Sequence, residues 1–335
     1  MSEASRAQVG NSAATTAPVV ATVVGGSGFV GAAVIAQLRS SGAQARPLAA
    51  PRLGWDRVVG DFVPPDHQPE VVERLAKQFD GIRVVVNAAG IANGKAPTSP
   101  ELYGANALLP VLIARACALA GVHRFIQVSS AAVQGRRDLD ESARTAPFSA
   151  YTDTKALAEQ LLTRVDGVER VIFRPTWVHA VGRANTRSLV RLAHSRASCV
   201  AGDGSAPTPQ VLITDVAAAL SHLVLTEERV PPVVLQPPSG MTTGLILRLL
   251  GDRDPRQLPT GVARALVAGI RAGAPLSAST SAYARRVEML LFGKRQVPGW
   301  LADRNVLAPL NPEAWQRLAS PSAAAVSSNS LPASV

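Results

Sequence analysis

The sequence predicts an α/β fold: a parallel sheet doubly wound by helices, with a smaller C-terminal portion beside it. Three observations carry that expectation. A β-branched run, Val19 to Val24, passes straight into Gly25-Gly26-Ser27-Gly28-Phe29-Val30-Gly31 and then into a helical pattern. Ile82 to Val86 is apolar apart from Arg83, as strands buried on both faces are, and helical segments flank it. The length, 335 residues with 47 % hydrophobic residues, suits one large unit plus a smaller part. The expected division is a tail over 1–18, a dinucleotide-binding domain over 19–180, a mixed α/β portion interleaved with the sheet over 181–320, and a second tail over 321–335.

The first element is strand, tight turn and helix. Gly25 allows the turn, Gly28 lets backbone approach a pyrophosphate, and Gly31 lets helix and strand pack closely. The helix expected over Ala32 to Arg39 puts Val34, Ile35 and Leu38 on one face. Its N-terminus offers free N–H groups and positive partial charge to phosphates. The next strand spans Gln44 to Ala49. An acid at its end would bind the ribose 2′-hydroxyl of NAD. Ala49, Ala50, Pro51 and Arg52 stand there instead, so Arg52 or Arg46 is available for a 2′-phosphate. NADP is therefore the expected cofactor, with NAD the alternative; Arg52 otherwise reads as a surface loop residue.

Several further steps follow in order. Gly60-Asp61-Phe62 comes after a short strand, Arg57 to Val59, and Val71 to Phe79 reads as a helix. The strand Ile82 to Val86 runs into Asn87-Ala88-Ala89-Gly90, small residues that let a ligand lie across the strand end. Asn106 opens an apolar helix, Leu108 to Leu119, where it reads as a cap. Phe125 to Val128 is a strand ending in Ser129-Ser130-Ala131-Ala132-Val133-Gln134-Gly135. Tyr151-Thr152-Asp153-Thr154-Lys155 opens a helix to about Leu162, and the i, i+4 spacing points Tyr151 and Lys155 the same way. A free phenol ionises near pH ~10, and a neighbouring ammonium lowers that. Tyr151 can then serve as general acid towards a developing alkoxide, with Ser130 as a hydrogen-bond donor to the same oxygen.

These motifs together resemble the extended branch of the short-chain dehydrogenase/reductase superfamily, the NAD-dependent epimerase/dehydratase-like proteins. The residues that carry the resemblance are Gly-x-x-Gly-x-x-Gly with Gly28-Phe29-Val30-Gly31, Asn87-Ala88-Ala89-Gly90, the Ser129–Gly135 loop, the Tyr151/Lys155 pair, Arg174-Pro175-Thr176-Trp177-Val178 and Val211 to Ala217. It covers about Val19 to Leu250 and implies a Rossmann-type fold. It implies Ser130, Tyr151 and Lys155 as catalytic residues. As cofactor-binding residues it implies Gly25, Ser27, Gly28, Phe29, Val30, Gly31, Asp61, Phe62, Ala88, Ala89, Gly90, Asn106, Pro175 and Val178, joined by Tyr151 and Lys155, with Lys155 on the nicotinamide ribose. Asn87 either lies beneath the cofactor or braces the sheet. Asn106 supports the site through the backbone, and Ser129 and Asp215 are structural. Two departures stand out: Gln134 replaces the usual Tyr, and His179 and Gly182 stand where Tyr-Gly-Pro is common. His179 reads as structural rather than as a substrate contact.

The remaining chain adds less. Leu189 to Ser195, and Leu245 to Leu250 after Thr242-Thr243, read as helices, and Val233 to Gln236 as a strand. Val262 to Leu291 reads as two apolar-faced helices over the substrate, with Arg264, Arg271, Arg285 and Arg286 as a solvated face in preference to contacts for an anionic substrate.

Composition bounds the partners. The net charge is +10, but charged residues are only 17 % and aromatics 4 %, too sparse for a base-stacking surface. Anionic nucleotide ligands explain the charge better than nucleic acid. Two distant cysteines, Cys117 and Cys199, make no disulfide framework, and the five histidines form no metal set. A cytoplasmic protein without stable membrane insertion is expected; the longest apolar stretch considered, Val262 to Ile270, is too short to span. A homodimer through the helices near Leu108 and Ala156 is implied by the resemblance.

The expected activity is reduction of a ketone by a nicotinamide cofactor. Ala131 and Ala132 stand where dehydrating relatives carry acids, and epimerases of this type tend to keep an acid after the second strand. A keto-sugar nucleotide is the first substrate expectation, with a steroid-like or other secondary-metabolite ketone close behind. A nucleotide-sugar epimerase or sterol-type hydroxy dehydrogenase is the alternative within the superfamily. A non-catalytic dinucleotide-binding sensor is the alternative of another class.

Overall fold

The computed structural model describes residues 20–56, 63–64, 66–92, 97–272, 278–306 and 308–320. The expected tails, the strand over Arg57 to Val59, and Asp61 and Phe62 lie outside the described residues.

The elements run β1 (Val20–Val24), α1 (Phe29–Ser40), β2 (Gln44–Leu48), α2 (Pro69–Gln78), β3 (Val84–Asn87), α3 (Pro100–Tyr103), a π turn (Gly104–Leu108), α4 (Leu109–Leu119), β4 (Arg124–Val128), a 3-10 turn (Ala131–Gln134), α5 (Ala150–Leu162), β5 (Glu169–Arg174) and β6 (Trp177–His179). They continue as α6 (Ala184–His194), β7 (Cys199–Ala201), β8 (Gln210–Leu212), α7 (Ile213–Leu225), β9 (Val233–Leu235), α8 (Thr243–Gly251), β10 (Arg256–Leu258), α9 (Thr260–Ala272), α10 (Ala278–Phe292), α11 (Trp300–Asp303) and α12 (Pro312–Arg317). The main sheet is parallel with order β2-β1-β3-β4-β5-β9, and two short parallel pairs, β6 with β8 and β7 with β10, stand apart from it. Pro47 lacks an N–H and is accommodated because β2 is an edge strand.

Two hydrophobic layers cover the sheet. One includes Leu75, Phe79, Leu112, Ile113, Phe125 and Leu161; the other includes Val34, Leu38, Val86, Ile126, Phe173 and Leu220. Strand order reverses between β1 and β3, so the crevice at their carboxyl ends is where an open α/β sheet takes its ligand. A third cluster (Leu189, Leu212, Ile246, Leu247, Leu250 and Trp315) knits α6, α8 and α12 together.

Three expectations are corrected. The apolar helix does not open at Asn106. It begins at Pro100, capped by the Ser99 side chain, and continues through the π turn to Leu119. Gly104 and Pro110 look like breaks in sequence, but a Cβ on Gly104 would sit 2.0 Å from the Leu53 carbonyl oxygen, so close packing requires the glycine. Second, this run of 20 residues, not Val262 to Ile270, is the longest apolar helical stretch among the described residues, and 78 % of its most apolar window is packed inside the protein. Third, α6 starts at Ala184 rather than Leu189. Leu108 and Ala156, placed by the resemblance near a dimer face, are themselves buried within the chain.

Candidate active site

The glycine turn is built as its residues require. Gly25 has φ +76°, and a Cβ there would lie 2.7 Å from the Ala89 nitrogen, so the turn presses directly on the loop after β3. A Cβ on Gly31 would lie 2.3 Å from the Gly25 oxygen. Gly28 caps α1 in extended conformation, and its Cβ would meet only the Gly25 oxygen at 3.1 Å, leaving space above the helix N-terminus. Open space and free N–H groups at the switch point suit a dinucleotide's pyrophosphate. Gly31→Ala is therefore expected to cost on the order of 1–3 kcal/mol of stability and to weaken dinucleotide binding, because only backbone can yield. Thermal melting and a fluorescence titration with NADPH check this; unchanged values in both would show that the turn tolerates separation from α1.

At the neighbouring strand ends the loops are braced by amides. Asn87 donates to Gln127 Oε1 (2.8 Å) and accepts from the Ala89 N–H (3.1 Å), so it braces the sheet and holds Ala88, Ala89 and Gly90 in place. Asn106 is fully buried in the π turn. It accepts from the Ile91 N–H (2.8 Å) and donates to the Ile91 carbonyl (3.1 Å) and to Thr154 Oγ1 (3.2 Å). It thus ties the loop after β3 to α5, one residue from Lys155. A π turn inside a helix at such a point is a common mark of a functional position.

The structure brings Ser130, Tyr151 and Lys155 together. Ser149 caps α5 through the Thr152 N–H (3.3 Å). Ser130 lies within hydrogen-bonding reach of the Tyr151 phenol, and its Oγ also accepts from the Ala132 N–H (3.2 Å). Lys155 donates its Nζ to the Val128 carbonyl (3.1 Å) at the end of β4. Burial lowers the lysine to about 8, opposed by Glu159. Burial raises the Tyr151 phenol, opposed by Ser130 and by the charge of Arg183.

Behind the trio stands a buried ion pair. Arg174 meets Glu159 through two bonds, Nε to Oε1 (3.1 Å) and Nη2 to Oε2 (2.5 Å), and donates a third to the Ser142 carbonyl (2.8 Å). Ser129 Oγ donates to the same Glu159 (2.5 Å), a structural role for that serine. Ala131 N–H donates to the Pro175 carbonyl (2.9 Å), so the loop of Ser130 is fastened to the Arg174-Pro175 turn that leads to Val178 on β6. Gln134, the departure from the common Tyr, is buried and bonds Asp140 through its side chain (2.7 Å).

The other sequence-level candidates resolve as follows. Arg46 donates to Thr22 Oγ1 (3.0 Å) and to the Gln78 carbonyl. Arg52 is exposed beyond the end of β2. His179 is buried between Gln210 (2.6 Å) and Thr186 (3.1 Å), tilted against Trp315, and burial lowers it to about 4. Cys117 is buried and burial raises its thiol. Asp215 accepts from the Leu212 N–H (3.0 Å), bracing the start of α7. Arg271 and Arg285 are not a free solvated face: both pair with Glu288, and Arg285 donates to the Gly135 carbonyl (2.6 Å), as does Lys294 (2.6 Å). Among the described residues no His/Cys/Asp/Glu group could hold a metal.

Sequence reasoning overlooked Arg183 and three exposed apolar side chains. Among the described residues, three of the seven exposed large hydrophobic residues, Ile91, Phe148 and Val181, stand next to site loops in the chain. Ile91 is held by Asn106, and Phe148 donates its N–H to Thr152 Oγ1 (2.9 Å) beside Tyr151. Val181 stands two residues before Arg183, whose guanidinium rests on the Phe29 ring (4.0 Å to the centroid). The only local signal was Gly182, which marks the turn before them.

Comparison with known proteins agrees with this geometry. Residues 21–234 match the NAD dependent epimerase/dehydratase family. The chain is similar to the 4-hydroxy-2-methyl-3-oxo-4-farnesyl-3,4-dihydroquinoline-1-oxide ketoreductase of Stigmatella aurantiaca, 31 % identical over 172 residues, or 47 % of this chain and 49 % of that protein. The match thus spans about half the length of that curated relative. Among solved structures it is similar to the dTDP-4-dehydrorhamnose reductase of Bacillus anthracis in complex with NADP, with TM-score 0.54 and 17 % identity over 73 % of this chain and 86 % of that one. It is also similar to the UDP-glucuronic acid 4-epimerase of Bacillus cereus in complex with UDP-glucuronic acid and NAD, with TM-score 0.56 and 15 % identity over 90 % and 99 %. At these identities the structures show a shared Rossmann-type fold.

Proposed function

Because the chain belongs to the NAD-dependent epimerase/dehydratase family, and so is a nicotinamide-dependent enzyme of the extended short-chain dehydrogenase/reductase type, we propose that it reduces an apolar ketone. The observation that carries this is Ser130 in reach of the Tyr151 phenol beside Lys155, with alanines at 131 and 132 where a dehydratase needs acids. Ala131 is buried and Ala132 offers no titratable group, so the site holds one proton carrier and no second acid–base pair at those positions. The ketone-reducing activity in the name of the Stigmatella aurantiaca relative supports the reading, and so does its farnesyl-bearing substrate. The exposed apolar side chains of Ile91, Phe148 and Val181, near the site residues in the chain, suit such an apolar substrate better than a sugar nucleotide.

A nicotinamide dinucleotide, when bound over the glycine turn, would supply hydride chemistry at the carbonyl carbon. Ser130 donates a hydrogen bond to the carbonyl oxygen and orients it. Tyr151 gives that oxygen its proton, keeping the electron pair as phenolate until solvent returns a proton. Lys155 would hold the ribose of the nicotinamide. Glu159, held by Arg174 and Ser129, fixes the two loops and the helix that present these groups.

NADPH oxidation with a panel of ketones tests the reading: farnesylated and other apolar cyclic ketones are expected to be turned over in preference to keto-sugar nucleotides. The reverse preference would overturn the substrate class, and tight NADPH binding without any turnover would favour a sensor. For the cofactor, NADP is proposed through Arg52. Arg52→Ala is expected to weaken NADPH binding on the order of tenfold and to leave NADH unchanged. Equal affinities for the two cofactors in the wild type would remove that assignment.

A further inference from the structure

One side of α9 is packed and the other is bare. Ala263 and Val267, four residues apart, pack with Leu291 of α10 and against Cys199, Ala201 and Leu258. On the opposite side Val262 (55 % exposed) and Leu266 (45 %), again four apart, face outward together with Ala265 and Gly269. Among the exposed residues of α9 only Arg264 is charged. A surface helix ordinarily turns charged and polar residues to water, so this outer face calls for a cover. The charge around it selects the cover. From Thr260 to Phe292 the sequence has four arginines and a single acid, Glu288. That carboxylate is met by Arg271, by Arg285 (3.0 Å) and by Arg136 (3.8 Å), so the neighbourhood stays positive. Between α9 and α10, beside the apolar stripe, opens a groove of about 260 Å³ with Val267, Ala268 and Phe292 in its walls and Arg264 and Arg271 along it. Among the described residues nothing bonds the Arg264 guanidinium, and Arg271 Nε is buried without a partner.

We propose that α9 docks this protein on the surface of an anionic phospholipid bilayer. Val262 and Leu266 enter the boundary between headgroups and acyl chains, and Arg264, with the groove beside it, takes a lipid phosphate. The helix lies on the bilayer and is too short to span it. A second copy of the chain fits this face less well. A helix of 13 residues is ~20 Å long and ~10 Å across, so it offers roughly 200 Å². Each partner in a stable dimer buries about 800 Å². Two copies would also set arginine against arginine. A bilayer needs no such area, because apolar burial and charge attraction add side chain by side chain. The docking stands apart from the ketone reading. It does bear on the site, because α10 also carries Arg285 to the Gly135 carbonyl (2.6 Å), joining the docked helix pair to the loop of Ser130.

Flotation of the full chain with lipid vesicles tests this. Vesicles of phosphatidylcholine and phosphatidylglycerol in equal parts are expected to carry the protein, and pure phosphatidylcholine to bind it about tenfold more weakly. Val262→Ser/Leu266→Ser is expected to lower affinity for the mixed vesicles about tenfold or more, and Arg264→Gln about fivefold. Leu119→Ser, which removes an exposed leucine from the end of α4, should leave it unchanged. Absence of wild-type binding to the mixed vesicles, equal affinity for pure phosphatidylcholine, or an equal loss in Leu119→Ser overturns the proposal. A dimer seen by analytical ultracentrifugation in place of vesicle binding, and split by Val262→Ser/Leu266→Ser, overturns it too and assigns the face to a second copy. If thermal melting shows that the double variant does not fold, Leu266→Ser and Arg264→Gln decide it by the same comparison. Flotation reads no turnover: a chain that docks and reduces no ketone loses the ketoreductase reading alone.

Discussion

Tyr151→Phe is expected to lower ketone turnover by about a thousandfold, within the range a single general acid supplies. The ring and its packing on α5 remain, so the fold and dinucleotide affinity should hold. What is lost is the proton for the developing alkoxide, which Ser130 can bind but cannot neutralise. Single-turnover NADPH oxidation, with cofactor affinity measured in parallel, checks this. Turnover within a factor of ten of wild type would mean that another group carries the proton. Combined loss of turnover and of cofactor binding would place Tyr151 in binding rather than in proton transfer.

Arg174→Met is expected to destabilise the protein by about 3–5 kcal/mol, the range for removing one partner of a buried ion pair. Arg174 is fully buried, and its loss leaves the Glu159 carboxylate unpaired between α5 and β5, with only Ser129 as donor. The three hydrogen bonds of Arg174 join the end of β5, the middle of α5 and the chain at Ser142, so the loops of Ser130 and Pro175 should loosen together. Glu159→Gln/Arg174→Met should be less unstable than the sum of its single variants, because no charge is then stranded. Urea denaturation of the four proteins provides the cycle. A loss under about 1 kcal/mol for Arg174→Met would show that water reaches Glu159 and that the pair does not hold the site.

Much of the fold was legible in short segments. The run from β1 through the glycine turn into α1 is read from adjacent residues, because the turn's demands are local: a positive φ at Gly25 and the absence of a Cβ at Gly31. The buried parallel strand β3 announces itself by its run of valines, and β4 and β5 by short apolar, β-branched or aromatic cores between polar ends. The i, i+4 spacing of Tyr151 and Lys155 is likewise a local property of a helix. Where the reading failed, packing between distant segments had overridden local signals. Asn106 suggested the start of a helix, yet the close packing of Gly104 on Leu53 allows one continuous run from Pro100. Arg46 and Arg52 looked interchangeable, until Thr22 and Gln78 claimed the first. Arg124 reads as a surface residue but is buried, bonding Glu169 and the carbonyls of Leu223, Thr226 and Glu228.

The sequence by itself determined the sheet-and-helix architecture, the dinucleotide turn and the identities of the serine, tyrosine and lysine, since each depends on spacings of a few residues. Only the tertiary structure decided what surrounds them: Glu159 locked to Arg174, Lys155 turned to Val128, and Arg183 laid on Phe29. Burial and charge at a point in space are sums over segments far apart along the chain, and no local pattern encodes them.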